Sequence, residues 1–160
     1  MKTIAGITSI LVCLMLLTSC TQSINGNQER PYIKTEGSIT YYKGAPYSGE
    51  IIFWNDYGQP NSKKNYKEGK RDGLYEKFNN GQLWYKANYK DNKKDGLEEL
   101  YFKNGQVRER INYKDGKEDG LCEYYFENGQ LDHTTSYKDG TPIETTKYKD
   151  GKVIKITPYR

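Results

Sequence analysis

The sequence has 160 residues, 34% hydrophobic and 29% charged, with a formal net charge of +4. Beyond residue 19 only 21 residues are Leu, Ile, Val or Phe, whereas all 16 tyrosines and both tryptophans lie there. A broad aliphatic core is therefore excluded, and large rings must do much of the packing. The near balance of charge excludes the concentrated basic surface that nucleic-acid binding requires.

At the start of the chain, Lys2 precedes an apolar run from Ile7 to Leu17 interrupted only by Thr8 and Ser9. This is the anatomy of a secretory signal, too short to span a bilayer as a mature helix. The next residues, Leu17-Thr18-Ser19-Cys20, resemble the bacterial lipobox. That resemblance implies a diacylglycerol thioether on Cys20, cleavage of the bond before it and acylation of the new amino terminus. Several acyl chains make such an attachment effectively permanent. The chain is then an exported, membrane-anchored lipoprotein. Thr21 favours the outer membrane or its periplasmic face, with the cell surface as the destination in a Gram-positive host. Cys13 leaves with the signal (residues 1–19), and Cys122 remains without a disulfide partner. Residues 20–31 are polar and aperiodic, and are expected to be a lipid-anchored flexible tether.

Residues 32–160 read as one repeat domain. Tyr-Lys recurs at Tyr42, Tyr66, Tyr89, Tyr113 and Tyr137, Gly-Gln at Gly58, Gly81, Gly105 and Gly129, and a further glycine at Gly49, Gly73, Gly96 and Gly120. The period is about 24 residues, clearest from Tyr113 to Ser136. Each unit predicts two strands. Asn-Gly (Asn80-Gly81, Asn104-Gly105, Asn128-Gly129) predicts a two-residue type I′ turn, and the Asp-Gly-Lys segments a longer return loop. Counting outward from Asn128-Gly129 pairs Phe126 with Leu131, Tyr124 with His133 and Cys122 with Thr135. The same count pairs Phe102 with Val107 and Phe78 with Leu83. The unit from Tyr66 is one residue short between Gly73 and Gly81, so a local irregularity is expected there. The fold class is all-β: an elongated antiparallel meander of β-hairpin repeats, with helix only in the signal segment.

These units resemble MORN repeats, specifically the bacterial variant group described as YwqK-type antitoxin-like proteins. The resemblance spans about residues 42–160 and rests on the tyrosine-lysine pairs, the return-loop glycines and Tyr-Phe-x-Asn-Gly-Gln-Leu. It implies β-hairpin architecture and roles in membrane-proximal scaffolding, self-association and protein or phospholipid binding. It brings no catalytic motif. An antitoxin acting on a cytosolic target fits poorly with an export signal.

No metal or cofactor motif stands out. One histidine and one free cysteine cannot build a tetrahedral metal site, and the Asp-Gly loops lack the ligand run of a calcium site. His133 and Cys122 fall on one face, which makes a weak Cys–His enzyme conceivable, with filling of variable repeat positions as the plainer reading. Lys67, Lys90, Lys114 and Lys138 would align along one edge, interleaved with aspartates. Trp54, Tyr75 and Trp84 are candidate contact aromatics, the latter two expected opposite the Phe78–Leu83 pair. Together these features point to a non-enzymatic, lipid-anchored envelope scaffold for a protein partner, with self-association as an option and no nucleic-acid partner. The alternative is an anionic phospholipid headgroup or surface glycan held by the edge lysines and tyrosines.

Overall fold

The computed structural model describes residues 23–159; the signal segment and Cys20 lie outside the described residues. In chain order the strands are β1 (Ser23–Asn25), β2 (Ile33–Glu36), β3 (Ile39–Tyr42), β4 (Ala45–Pro46), β5 (Gly49–Trp54), β6 (Pro60–Lys67), β7 (Lys70–Asn79) and β8 (Gln82–Lys90). They continue as β9 (Lys93–Tyr101), β10 (Val107–Lys114), β11 (Lys117–Glu118), β12 (Gly120–Tyr125), β13 (Leu131–Lys138), β14 (Thr141–Lys149) and β15 (Lys152–Pro158). A 3-10 turn at Arg30–Tyr32 precedes β2. The long sheet has the order β1-β5-β6-β7-β8-β9-β10-β12-β13-β14-β15, with short β11 also paired to β10, and β2-β3-β4 form a separate small sheet. At about 4.8 Å per strand the long sheet extends about 50 Å across its strands. From β5 to β15 every neighbouring pair is antiparallel, the meander that the repeat predicts.

The expected tether needs correction from Ser23 onward. β1 pairs in parallel with β5, Ser23 to Glu50 and Asn25 to Ile52. Ile24 is buried with Tyr47 and Ile51, and Asn27 and the Trp54 backbone exchange hydrogen bonds of 2.7 and 2.9 Å. A three-residue strand shows no periodicity because it needs only one buried side chain, here Ile24.

The two kinds of turn have exchanged places relative to expectation. Among the Gly-Gln turns only Asn80-Gly81, with φ of +49° and +78°, is the two-residue type, closing Asn79 on Gln82. The short unit is therefore the tight version of the hairpin, and its length sets its turn. Elsewhere the loop is one residue longer. The Gly129 N–H donates to the Phe126 carbonyl and the Phe126 N–H to the Gln130 carbonyl, a type I turn followed by a left-handed glycine. The same bonds close residues 55–59 and 102–106. The return loops, expected to be longer, are two-residue turns with both residues left-handed: Glu68-Gly69, Asp91-Asn92, Asp115-Gly116 and Asp139-Gly140.

The extra turn residue is absorbed by a bulge one step into the hairpin. Tyr125 pairs with Leu131, Asp132 is bulged, and Tyr124 then meets His133 and Cys122 meets Thr135, as counted. Leu131 and Val107 consequently oppose Tyr125 and Tyr101 instead of Phe126 and Phe102, while Phe78 does oppose Leu83. The bulge at Trp84 also puts Leu83 on the face opposite Tyr85, Ala87 and Tyr89, and places Tyr75 opposite Ala87.

Direct pairing sorts the side chains into rows that cross the sheet. One row on the first face runs Ile51, Lys64, Tyr75, Ala87, Glu98, Ile111, and a second stretch Cys122, Thr135, Thr145. Ile51, Ala87, Glu98, Ile111, Cys122, Thr135 and Thr145 are all buried. The repeat tyrosines flank this row, each opposite a return glycine: Tyr66 on Gly49, Tyr89 on Gly73, Tyr113 on Gly96, Tyr137 on Gly120. Gly96 has φ +104°, and a Cβ there would lie 3.3 Å from that of Asn88. The side-chain amides of Asn65, Asn88 and Asn112 donate to the carbonyls of Leu74, Leu97 and Leu121, tying each strand entry to its neighbour.

The small sheet packs over the first face at the β5–β7 end. Tyr47 meets Tyr42 and Tyr66 edge-on at ring separations of 5.7 and 6.3 Å. The Thr40 N–H donates to Gly69, the Gly69 N–H to Tyr47, and the Asn92 side chain to Ser38.

Candidate functional site

Lys67, Lys90, Lys114 and Lys138 stand where the sequence places them, exposed beside the two-residue turns along one edge. The interleaved aspartates tie successive turns together. Lys70 reaches Asp91 and Lys138 reaches Asp119, each at 2.9 Å, and Asp119 also accepts the Asp139 N–H. Hydrogen bonds from those lysines hold both carboxyls below the usual range. This edge is a mixed-sign seam.

The second face carries a row of alternating charge: Lys63, Glu76, Lys86, Glu99, Arg110, Glu123. Glu99 is its centre, only 5% exposed, with Lys86 at 2.5 Å, Arg110 at 2.9 Å and the Tyr101 hydroxyl donating at 3.0 Å. Burial pushes the Glu99 carboxyl up, but the hydrogen bonds from Lys86, Arg110 and Tyr101 outweigh it and keep the group below its ordinary value.

The first face brings together a different group. Lys64 lies with its Nζ 5.3 Å from the Phe53 ring centre and 5.4 Å from that of Tyr75. Arg71 stacks over Tyr89 at 4.3 Å, with its backbone N–H held by the Asn92 side chain. Lys77 sits among Tyr75, Trp84 and Tyr85. None of the three cations has a carboxylate within 4 Å among the described residues. Burial lowers the Lys64 ammonium, and the charges of Arg71 and Lys77 lower it further. Of the expected aromatics, Tyr75 and half-exposed Trp84 belong to this cluster, whereas Trp54 lies on the other face, opposite Pro60.

Lys64 and Lys77 are not singled out by the sequence, and Arg71 stands out only as one of several return-loop cations. A signal for Lys64 is nonetheless there: the position after Lys63 corresponds to Ala87 after Lys86 and Ile111 after Arg110, so a lysine stands where those two strands carry an apolar residue.

Cys122 and His133 sit in different surroundings. The cysteine is fully buried, and that burial raises its thiol. The histidine stacks on Tyr124 at 4.3 Å and its Nδ1 lies 2.9 Å from Asp132. Among the described residues no group of three His, Cys, Asp or Glu side chains could hold a metal ion.

Stacked two-strand units, period-marking tyrosines facing glycines and an unbroken ladder define an open β-hairpin repeat protein. Residues 71–91, 94–115 and 118–139 match the MORN repeat variant family model, and these three consecutive units are MORN repeat variants. No curated protein matches the chain. Among solved structures, the chain is similar to a point mutant of TarM from S. aureus in complex with fondaparinux, alpha-GlcNAc-glycerol and UDP. The identity is 13% and the TM-score 0.28, over 77% of this chain and 20% of that one. It is also similar to a GtfA/B complex bound to UDP and GlcNAc, with 12% identity and a TM-score of 0.26, over 81% of this chain and 29% of that one. This chain spans less than a third of either of those chains, and likenesses this loose carry no functional argument.

Proposed function

We propose that the protein is a non-enzymatic, lipid-anchored envelope scaffold whose repeat sheet docks a partner protein along its outer strand. The carrying observation is β15. Its residues are exposed throughout, with Val153, Ile154 and Ile156 between 54% and 60% exposed, and its outer edge has no neighbouring strand among the described residues. Such an edge is a template for strand addition. Lys152 and Lys155 within it, and Lys147 and Lys149 on β14, make this end basic, so the strand that fits is one in which acidic and apolar residues alternate. A second copy would bring lysine against lysine, which argues against self-pairing here.

The anchor is Cys20. Only two residues, Thr21 and Gln22, separate it from Ser23, a reach of about 10 Å when extended. The β1 end would thus lie at the bilayer surface and β15 at the far end of the sheet. Labelling with a fatty acid is expected to disappear in Cys20→Ala, and persistence of label refutes the anchor. Docking is tested by titrating the full chain in detergent with a synthetic Glu-Val repeat peptide. Saturable binding that is lost in Ile154→Glu/Ile156→Glu, with an unchanged circular dichroism spectrum, supports the reading. Equal binding by that variant, or no binding by the parent chain, overturns it.

A further inference from the structure

Beneath the small sheet is a cleft of about 440 Å³ between its β2–β3 turn and the first face of the long sheet, lined by Thr35, Thr40, Lys64, Tyr66, Arg71 and Tyr75 among others. We infer that this cleft is a binding site for a phosphorylated sugar. Three observations carry the assignment, and none depends on docking at β15, at the other end of the sheet.

First, the cleft has one sign of charge. Lys64 and Arg71 line it, no acidic residue does, and neither cation is within 4 Å of a carboxylate elsewhere among the described residues. Two cations match the charge of about −2 on a phosphate monoester near neutral pH. Second, Arg71 is held in place before any ligand arrives. Its guanidinium is stacked on Tyr89 and one of its nitrogens donates to the Asn92 carbonyl at 3.4 Å. A planar guanidinium fixed in this way suits forked hydrogen bonding to phosphate, with Lys64 as a point charge beside it. Third, the remaining wall is rings and hydroxyls. Tyr66 and Tyr75 supply apolar surface, and the Thr35 and Thr40 hydroxyls lie 3.2 Å apart. Such a wall can pack against a pyranose and exchange hydrogen bonds with its hydroxyl groups.

The setting favours a sugar-borne phosphate over a lipid headgroup. The cleft opens beneath a polar hairpin in which Thr35, Glu36, Gly37 and Ser38 are all exposed.

The test titrates the full chain in neutral detergent with glucose 6-phosphate, glucose and inorganic phosphate, and separately with phosphatidylglycerol vesicles. Glucose 6-phosphate is expected to bind at least tenfold more tightly than either glucose or inorganic phosphate. Arg71→Gln and Lys64→Gln should each weaken it about tenfold or more, while Lys63→Gln, on the opposite face, should leave it unchanged. Arg71→Lys keeps the charge without the fork and should still lose most of the binding, with an unchanged circular dichroism spectrum showing that the fold persists. Equal affinity for glucose or for inorganic phosphate, no binding of glucose 6-phosphate, or full binding by the well-folded Arg71→Lys and Lys64→Gln chains overturns the assignment. Binding of vesicles with none of glucose 6-phosphate assigns the cations to a headgroup and overturns it equally.

Discussion

On the second face of the sheet Lys63, Lys86 and Arg110 alternate with Glu76, Glu99 and Glu123, whereas on the first face Lys64, Arg71 and Lys77 have rings and hydroxyls around them and no carboxylate. Lys63 and Lys64 are neighbours in sequence. One faces Glu76 and the other Tyr75, because alternation along a strand sends adjacent side chains to opposite faces. The repeat thus uses one residue type in two ways. Where a cation meets a carboxylate across the ladder, it holds strands together. Where the partner row supplies only tyrosine, the charge stays available to a ligand and the fold bears a cost for it.

The largest expected effect tests the compensated row. Glu99→Ala leaves Lys86 and Arg110 facing each other without their shared acid, and should lower stability by about 2–3 kcal/mol in denaturant unfolding. The pH dependence follows from the same group. Because the folded carboxyl is held below its unfolded value of 4.5, its contribution is present above that value and is lost as pH falls through the lower folded value. The melting temperature should therefore drop on acidification below about pH 4.5, with a shallower slope in Glu99→Gln. An unchanged slope would mean that Glu99 is not what holds the row. The uncompensated cluster predicts the opposite sign. Lys64→Met keeps the stem packing and removes a charge disfavoured by burial and by Arg71 and Lys77, so stability should rise by about 1 kcal/mol. A fall would show that the ring contacts outweigh the desolvation. Least of all, Lys138→Ala at the exposed turn edge should leave the melting temperature unchanged within error, despite its 2.9 Å contact with Asp119.

Much of the frame was legible in the sequence. Three marks of one period located the hairpins from Tyr66 to Lys138, and the pairing of Tyr124 with His133 and of Cys122 with Thr135 could be counted from Asn128-Gly129. The turn types were not legible. Asn-Gly and Asp-Gly both suit positive φ, and a single residue of loop length decides which of them forms the tight turn. Bulges after the longer turns restore the register farther along, so a count outward from the turn gives the distant pairs and misplaces the near ones. The cluster escaped for a related reason. Lys64, Arg71 and Lys77 are separated by seven and six residues and meet only through the β6–β7 ladder, whose register shifts between Lys64 and Tyr66. Its cover, β2 and β3, precedes the regular Gly-Gln units, and nothing in the repeat announces where that hairpin will rest. The anchoring of residues 23–31 has one mark in the sequence, Ile24, a single apolar side chain in a polar stretch.

The parallel pairing of β1 with β5 has a consequence for everything laid over the first face. Two strands that run the same way cannot be joined by a hairpin, so the chain leaving Asn25 must travel back along the sheet before β5 can begin. Residues 26–48 make that return journey, and the route they take includes the three strands that roof the cleft. The direction of a three-residue strand at one margin thereby obliges the protein to build a canopy, and the regular units that follow, each turning straight back on itself, have no need of one.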